Sequence, residues 1–155
     1  MNITNDGNTI LADNAKIIIT KDKVNIISNK AEYDKIKNIV TFTDKVFFND
    51  RENELKIKSD FIKYERNKEL IFSKGKTDLN IEKNYDINSE NIYFDRNLNI
   101  IYSNKETTIK DIENNIFILK GGFEFNIFNK LIKSKKSIIL DKNNKKYIFE
   151  NLFID

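Results

Sequence analysis

The chain has no cysteine, no histidine, no proline and no tryptophan, and only four of its 155 residues are glycine. The missing cysteine and histidine exclude disulfides, thiolate nucleophiles, Cys/His zinc sites and any Ser-His or Cys-His catalytic pair. With no proline and little glycine, long Pro-rich or Gly-rich linkers are absent too. Charge of one sign is also lacking. Lys+Arg is 27 and Asp+Glu 24, a net charge of +3. That balance gives no electrostatic case for a nucleic-acid partner. The strongly apolar runs are three or four residues long (Ile17–Ile19, Val46–Phe48, Ile116–Leu119). A spanning helix needs about 20. The start, MNITNDGNTI, lacks the basic stretch and apolar run of an intact secretory signal, so either the protein is cytosolic or a leader lies outside this chain.

What the chain has in excess is Ile, Lys and Asn, at 27, 24 and 24 residues, against three Ala. AT-rich codons encode all three, which accounts for the bias without a function. The consequence for folding stands regardless. β-branched side chains favour strands, and scarce Ala disfavours helices.

The sequence repeats itself. Ile27–Phe48, Lys58–Leu79, Asn88–Ile109 and Leu119–Leu140 align almost without gaps, with an aromatic at Tyr33, Tyr64, Phe94 and Phe125. Fragments of the same pattern lie at 10–17 and at 152–155. We therefore expect one domain over 1–155, with 1–7 unstructured. Clusters of Asn, Asp and Lys punctuate it at 34–38, 50–53, 65–68, 84–86, 95–98, 111–115, 126–129 and 141–145. Asn and Asp suit tight turns because they bond their own backbone and tolerate left-handed conformations. Between turns, apolar residues alternate with polar ones over about a dozen positions. Short loops make successive strands antiparallel. The expectation is nine or ten long strands.

The alternation contains an odd step. Ile57, Ser59, Ile62 and Tyr64, like Ile87, Ser89, Ile92 and Phe94, fall at i, i+2, i+5 and i+7. The step of three needs a bulge or bend if all four are to face one core. Returning strands keep even spacing, as in Val40, Phe42, Val46, Phe48, in Ile101, Ser103, Thr107, Ile109, and in Ile132, Ser134, Ile138, Leu140. A bend in every second strand predicts an all-β, folded-over, open β-jellyroll with a greasy interior. A flat β-solenoid would lack such reversing turns.

No residue pattern points to catalysis. Ser59, Ser89 and Ser103 read as small packing residues at the bend. Asp34 and Asp95 read as turn residues rather than a paired-carboxylate site. No Asp-rich run is dense enough for a calcium loop. Gly121-Gly122 sits at a bend with no helix behind it to cradle phosphate. We expect no enzyme activity, no metal and no cofactor. The Lys runs 133–136 and 142–146 read as solvated surface, or as contacts for lipid phosphates.

An open trough could receive acyl chains, at about 0.8 kcal/mol per buried CH₂. Its interior candidates are Ile57, Ile62, Tyr64, Ile71, Leu79, Ile87, Ile92, Phe94, Ile101, Ile109, Phe123, Phe125, Ile132, Ile138 and Leu140. Its end strands, about 8–19 and 146–155, could add a strand from another sheet. The plain alternative is a structural or adhesive β-repeat protein with a closed core.

The repeat unit resembles the OstA-like lipopolysaccharide-transport β-jellyroll family. Ala31-Glu-Tyr-Asp34 followed by Asn38-Ile-Val-Thr-Phe-Thr-Asp-Lys-Val46 is similar to its strand–turn–strand pattern, echoed by Ala12-Asp-Asn-Ala15 and Ser73-Lys-Gly-Lys-Thr77. Asn88–Asp95, Tyr102–Asp111 and Ile139-Leu-Asp141 with Tyr147 and Ile154-Asp155 look most like the N-terminal periplasmic domain of the LptD branch, with LptA and LptC next. Asp44 stands where the family has glycine, which Gly75 keeps in the second copy. The cysteines common in LptD are absent. So is any tract able to form its outer-membrane barrel. The resemblance implies a non-enzymatic periplasmic module of lipopolysaccharide transport and outer-membrane assembly. Its partners would be lipopolysaccharide, other Lpt jellyrolls joined edge to edge, and a barrel domain if the chain is an LptD fragment.

Overall fold

The structure, a computed structural model, describes residues 2–4, 7–20 and 23–154. They form one antiparallel sheet of fifteen strands. The first five are β1 (Asn2–Thr4), β2 (Thr9–Ile19), β3 (Val24–Asp34), β4 (Ile39–Asp50) and β5 (Leu55–Glu65). Then come β6 (Leu70–Ser73), β7 (Lys76–Ile81), β8 (Tyr85–Glu90), β9 (Tyr93–Asp95), β10 (Ile100–Ser103), β11 (Thr107–Asp111), β12 (Ile116–Leu119) and β13 (Phe123–Asn126). β14 (Ile132–Leu140) and β15 (Lys146–Ile154) close the chain.

The expected long strands are there, but four of them are broken in two. β6 pairs with one half of β5 (Ile62–Glu65) and β7 with the other (Leu55–Ser59). Together β6 and β7 form one returning segment interrupted at Lys74 and Gly75. β8/β9, β10/β11 and β12/β13 are interrupted in the same way. Counting each broken pair once leaves ten long segments plus the short β1. β1 pairs with β2 through Asn2↔Leu11 to Thr4↔Thr9, so residues 2–4 are a strand where none was expected. Met1, Asn5 and Asp6 of that stretch, and Asp155 of the C-terminal edge, lie outside the described residues.

The breaks and bulges fall on one line across the sheet. Asn14, Asp44, Lys45, Gly75, Asn91, Gly122 and Lys136 have positive φ there, and the β3–β4 and β4–β5 registers shift there. The bend therefore runs through returning strands as well as entering ones. This corrects the expectation of a bend in every second strand. An even step of four hides a bulged residue as readily as a step of three reveals one.

Folding along this line makes two layers. One carries the turns at 35–38, 66–69, 96–99 and 127–131. The other carries those at 51–54, 82–84, 112–115 and 141–145. The turns are built as their composition predicts. Asp34 Oδ1 accepts the Lys37 N–H at 3.0 Å, Asp95 Oδ1 the Leu98 N–H at 3.0 Å, and Asp111 Oδ1 the Asn115 N–H at 2.8 Å. Asn38, Asn99, Asn114 and Asn144 supply left-handed residues where glycine is missing.

Candidate functional site

The interior is built from four or five side chains per long segment, set on both sides of the bend. In β5 they are Leu55, Ile57, Ser59, Ile62 and Tyr64. In β6/β7 they are Ile71, Ser73, Thr77, Leu79 and Ile81, all buried. Thirteen of the fifteen candidate interior residues point inside, from Ile57 through Ile132. They pack on one another. Ile62, Ile87, Phe94, Ile101 and Ile109 have no exposed surface, so the middle of the fold is dry and filled.

Ile138 and Leu140 do not join them. Ile138 lies opposite Ile118, and Leu140 opposite Ile116, on the outer face. The inward places on β14 belong to Ser137 and Ile139, opposite Leu119 and Phe117. The cause is local. Gly122, at φ +81°, adds a residue at the bend of β12/β13, so its inward set is Phe117, Leu119, Phe123 and Phe125 with a step of four. β14 then takes the step of three.

A strip of small polar residues lines the hinge between the layers. Ser28 Oγ donates to the Lys30 carbonyl at 2.8 Å, Ser103 Oγ to the Glu90 carbonyl at 2.6 Å, and Ser134 Oγ to the Gly122 carbonyl at 2.6 Å. Thr77 Oγ1 donates to Ser73 Oγ at 2.8 Å, and Ser89 and Thr107 share a hydrogen bond of 2.7 Å. Bending breaks the backbone ladder; Ser28, Ser103 and Ser134 occupy carbonyl acceptors left over, while the Thr77–Ser73 and Ser89–Thr107 pairs satisfy one another. Ser59, Ser89 and Ser103 thus serve the bend.

Opposite the hinge, the tips of the two layers meet along a seam. Arg96, from the turn after β9, reaches Asp50, at the far end of β4, with Nε–Oδ2 at 3.1 Å. Asp50 is fully buried and Arg96 nearly so, at 9%. The same Asp50 accepts the Glu52 and Asn53 N–H groups, capping the 51–54 turn. Arg96 also pairs with Glu69, and Tyr64 donates its hydroxyl hydrogen to Glu69 Oε2 at 2.7 Å. Burial, followed by the neighbouring Glu69, pushes the Tyr64 phenol up to about 12. Burial works against the Arg96 charge, but Asp50, Tyr64 and Glu69 together more than offset it and hold the guanidinium above its ordinary value. Further along the seam Lys130 meets Glu82 at 2.7 Å, and the Tyr85 ring packs edge-on against Phe125 at 5.6 Å.

At the β2 end the seam is open. A cleft of about 620 Å³ runs between the layers there, lined by Ile10, Ala12, Ala15, Ile17, Ile19, Ala31, Tyr33 and Val40, with Lys16 and Arg66 among its residues. This size suits a small-molecule site. The inner face of β2 is covered by no opposing strand, which is why Ile10, Ile17 and Ile19 stay partly exposed. At the other edge Tyr147 and Phe149 of β15, opposite Ile139 and Ser137, keep 38% and 37% of their surface. Both ends of the interior are thus apolar and accessible. None of the cleft residues is among the fifteen interior candidates read from the sequence. The first repeat fragment, 10–17, was the available signal for them. The Lys runs 133–136 and 142–146 lie on β14, its turn and the start of β15, several strands away from the cleft.

No protein-family model matches the chain, and no curated protein matches it. Among solved structures it is similar to the crystal structure of LptH from Pseudomonas aeruginosa, the LptA homologous periplasmic component of the conserved lipopolysaccharide transport device. The TM-score is 0.65 at 11% identity, over 74% of this chain and 83% of that one. The fold is the LptA-type β-jellyroll.

Proposed function

We propose that the protein is a non-enzymatic periplasmic module of lipopolysaccharide transport, associated with the outer membrane. It shields acyl chains in its interior and docks edge to edge with other jellyrolls of the same machine. The observation that supports this most is the apolar cleft at the β2 end, in a fold otherwise sealed along its seam. Acyl chains enter there, and the phosphorylated head stays at the rim near Arg66 and Lys16. Phe94, Ile101 and the other interior candidates meet lipid only where the layers part further in. β15 and the β1–β2 end offer unpaired backbone for strand addition, with other Lpt jellyrolls as partners. If the chain belongs to an LptD protein, the barrel domain is a further partner.

A second reading, a structural β-repeat protein, draws on the filled middle of the core. Photo-crosslinking separates the two. A crosslinking residue at Ile17 or Ile19 should capture lipopolysaccharide, one at Phe94 should do so less, and one at outward Lys63 not at all. Capture from Lys63 alone, or from no site, would reject the transport reading.

A further inference from the structure

In the middle of one layer the outer face is polar, with Phe47 and Ile27 further along the same row and the Phe72, Tyr93 and Tyr102 rings on the other layer. On β5, β7 and β8, for example, Lys58, Asp78 and Asn88 lie side by side. The pattern changes towards the C-terminal end. Asn88 is followed on that row by Thr108, Ile118, Ile138 and Ile148. The adjacent row reads Lys110, Ile116, Leu140 and Lys146. The inward neighbours Phe117 and Leu119 are buried in the core, so β12 is apolar on both faces. Ile148 keeps 69% of its surface exposed. A cluster of five aliphatic side chains on the outside of a sheet marks a contact surface rather than a core.

Its rim decides what it contacts. Lys110 and Lys146 flank the aliphatic pair of one row, with Asp86 beyond Lys110; Lys142 and Lys145 lie with Asp141 in the turn beside it, and Glu150 lies beyond Ile148 on β15. Residues 116–155 hold eight Lys against four acidic residues, so the chain's positive charge is concentrated in this end. A second copy docking the same face would set one net-positive end of the chain against another. Anionic headgroups meet that rim favourably while the aliphatic cluster enters the boundary of the acyl layer.

We propose that the outer face of β11, β12, β14 and β15 docks on an anionic lipid surface. The face lies outside the fold, so this holds whether or not the interior takes acyl chains. The test is co-sedimentation of the full chain with vesicles of phosphatidylcholine alone and of phosphatidylcholine mixed with phosphatidylglycerol. The protein should pellet with the mixed vesicles only, and added salt should release it. Ile148→Glu and Lys146→Glu should each weaken binding roughly tenfold or more. Lys56→Glu, on the same layer four strands from β12, should bind as the parent does. Circular dichroism confirms that each variant is folded. The proposal is overturned if the parent stays in the supernatant, or if Ile148→Glu pellets like the parent. It is equally overturned if sedimentation velocity shows the parent to be a dimer that Ile148→Glu dissociates.

Discussion

Asp50 and Arg96 are 46 positions apart and sit in different repeats, yet each completes the other. Removing the guanidinium leaves a buried carboxylate with only its turn donors. Arg96→Met should therefore cost about 3 kcal/mol, near the low end for a broken buried pair, as measured by urea unfolding. Adding Asp50→Asn removes the stranded charge and should restore part of that loss. Asp50→Asn alone closes the cycle, and a double variant whose loss equals the sum of the two single losses would show that the pair carries no coupling. Tyr64 gives the same seam a pH signature. Its folded value of about 12 lies above the ordinary 10.0, so the folded state holds the proton more tightly. Stability from this group is complete below pH 10 and declines as pH rises through 12. The difference in unfolding free energy between the parent and Tyr64→Phe should shrink over that window, and a constant difference would contradict the assignment. None of this was legible in the sequence. The turn caps of Asp34, Asp50 and Asp95 act within four residues and were readable, whereas ion pairs across a fold leave no local trace.

Strands and turns were legible because both are local. A period of two marks the buried face, and Asn/Asp clusters mark the reversals. All eight turn clusters fall at or beside a reversal. What local pattern could not supply was the phase of each strand past its bend. Even spacing carried from Ile132 and Ser134 across the bend placed Ile138 and Leu140 inside. Gly122 is the element that shifts the phase. A Cβ there would lie 2.3 Å from the Ser103 carbonyl oxygen, and φ is +81°. Gly75 has the same sign of φ but open space around it. Gly122→Ala should thus destabilise by more than about 2 kcal/mol, through clash and strain together, and Gly75→Ala by about 1 kcal/mol through strain alone. Thermal unfolding of the two variants checks the order. Equal losses would mean that the close approach of β12/β13 to β10/β11 is not what fixes the glycine.

At the scale of the molecule, periodicity tells which side chains face inward but not how far the two layers stand apart. The trough expected from the sequence is closed in its middle by Phe, Ile and Tyr side chains and pinned along its seam by Arg96 and Lys130. Its open volume lies where the sheet runs out of opposing strands, against β2. If lipid enters at that end, small residues on the cleft wall matter more than large ones in the core. Ala12 and Ala15 lie on that wall, Ala12 partly exposed and both opposite equally small partners, Ala31 and Ser28. Ala12→Phe fills cleft space without entering the packed middle, so stability should change by less than about 1 kcal/mol. Displacement of a fluorescent acyl probe by lipopolysaccharide should fall several-fold in Ala12→Phe. Phe94→Ala should show the opposite pairing, losing about 3–5 kcal/mol of stability while leaving the cleft wall intact. Probe binding that followed Phe94 and ignored Ala12 would move the entry point from the β2 end to the middle of the fold, and would require the seam to open.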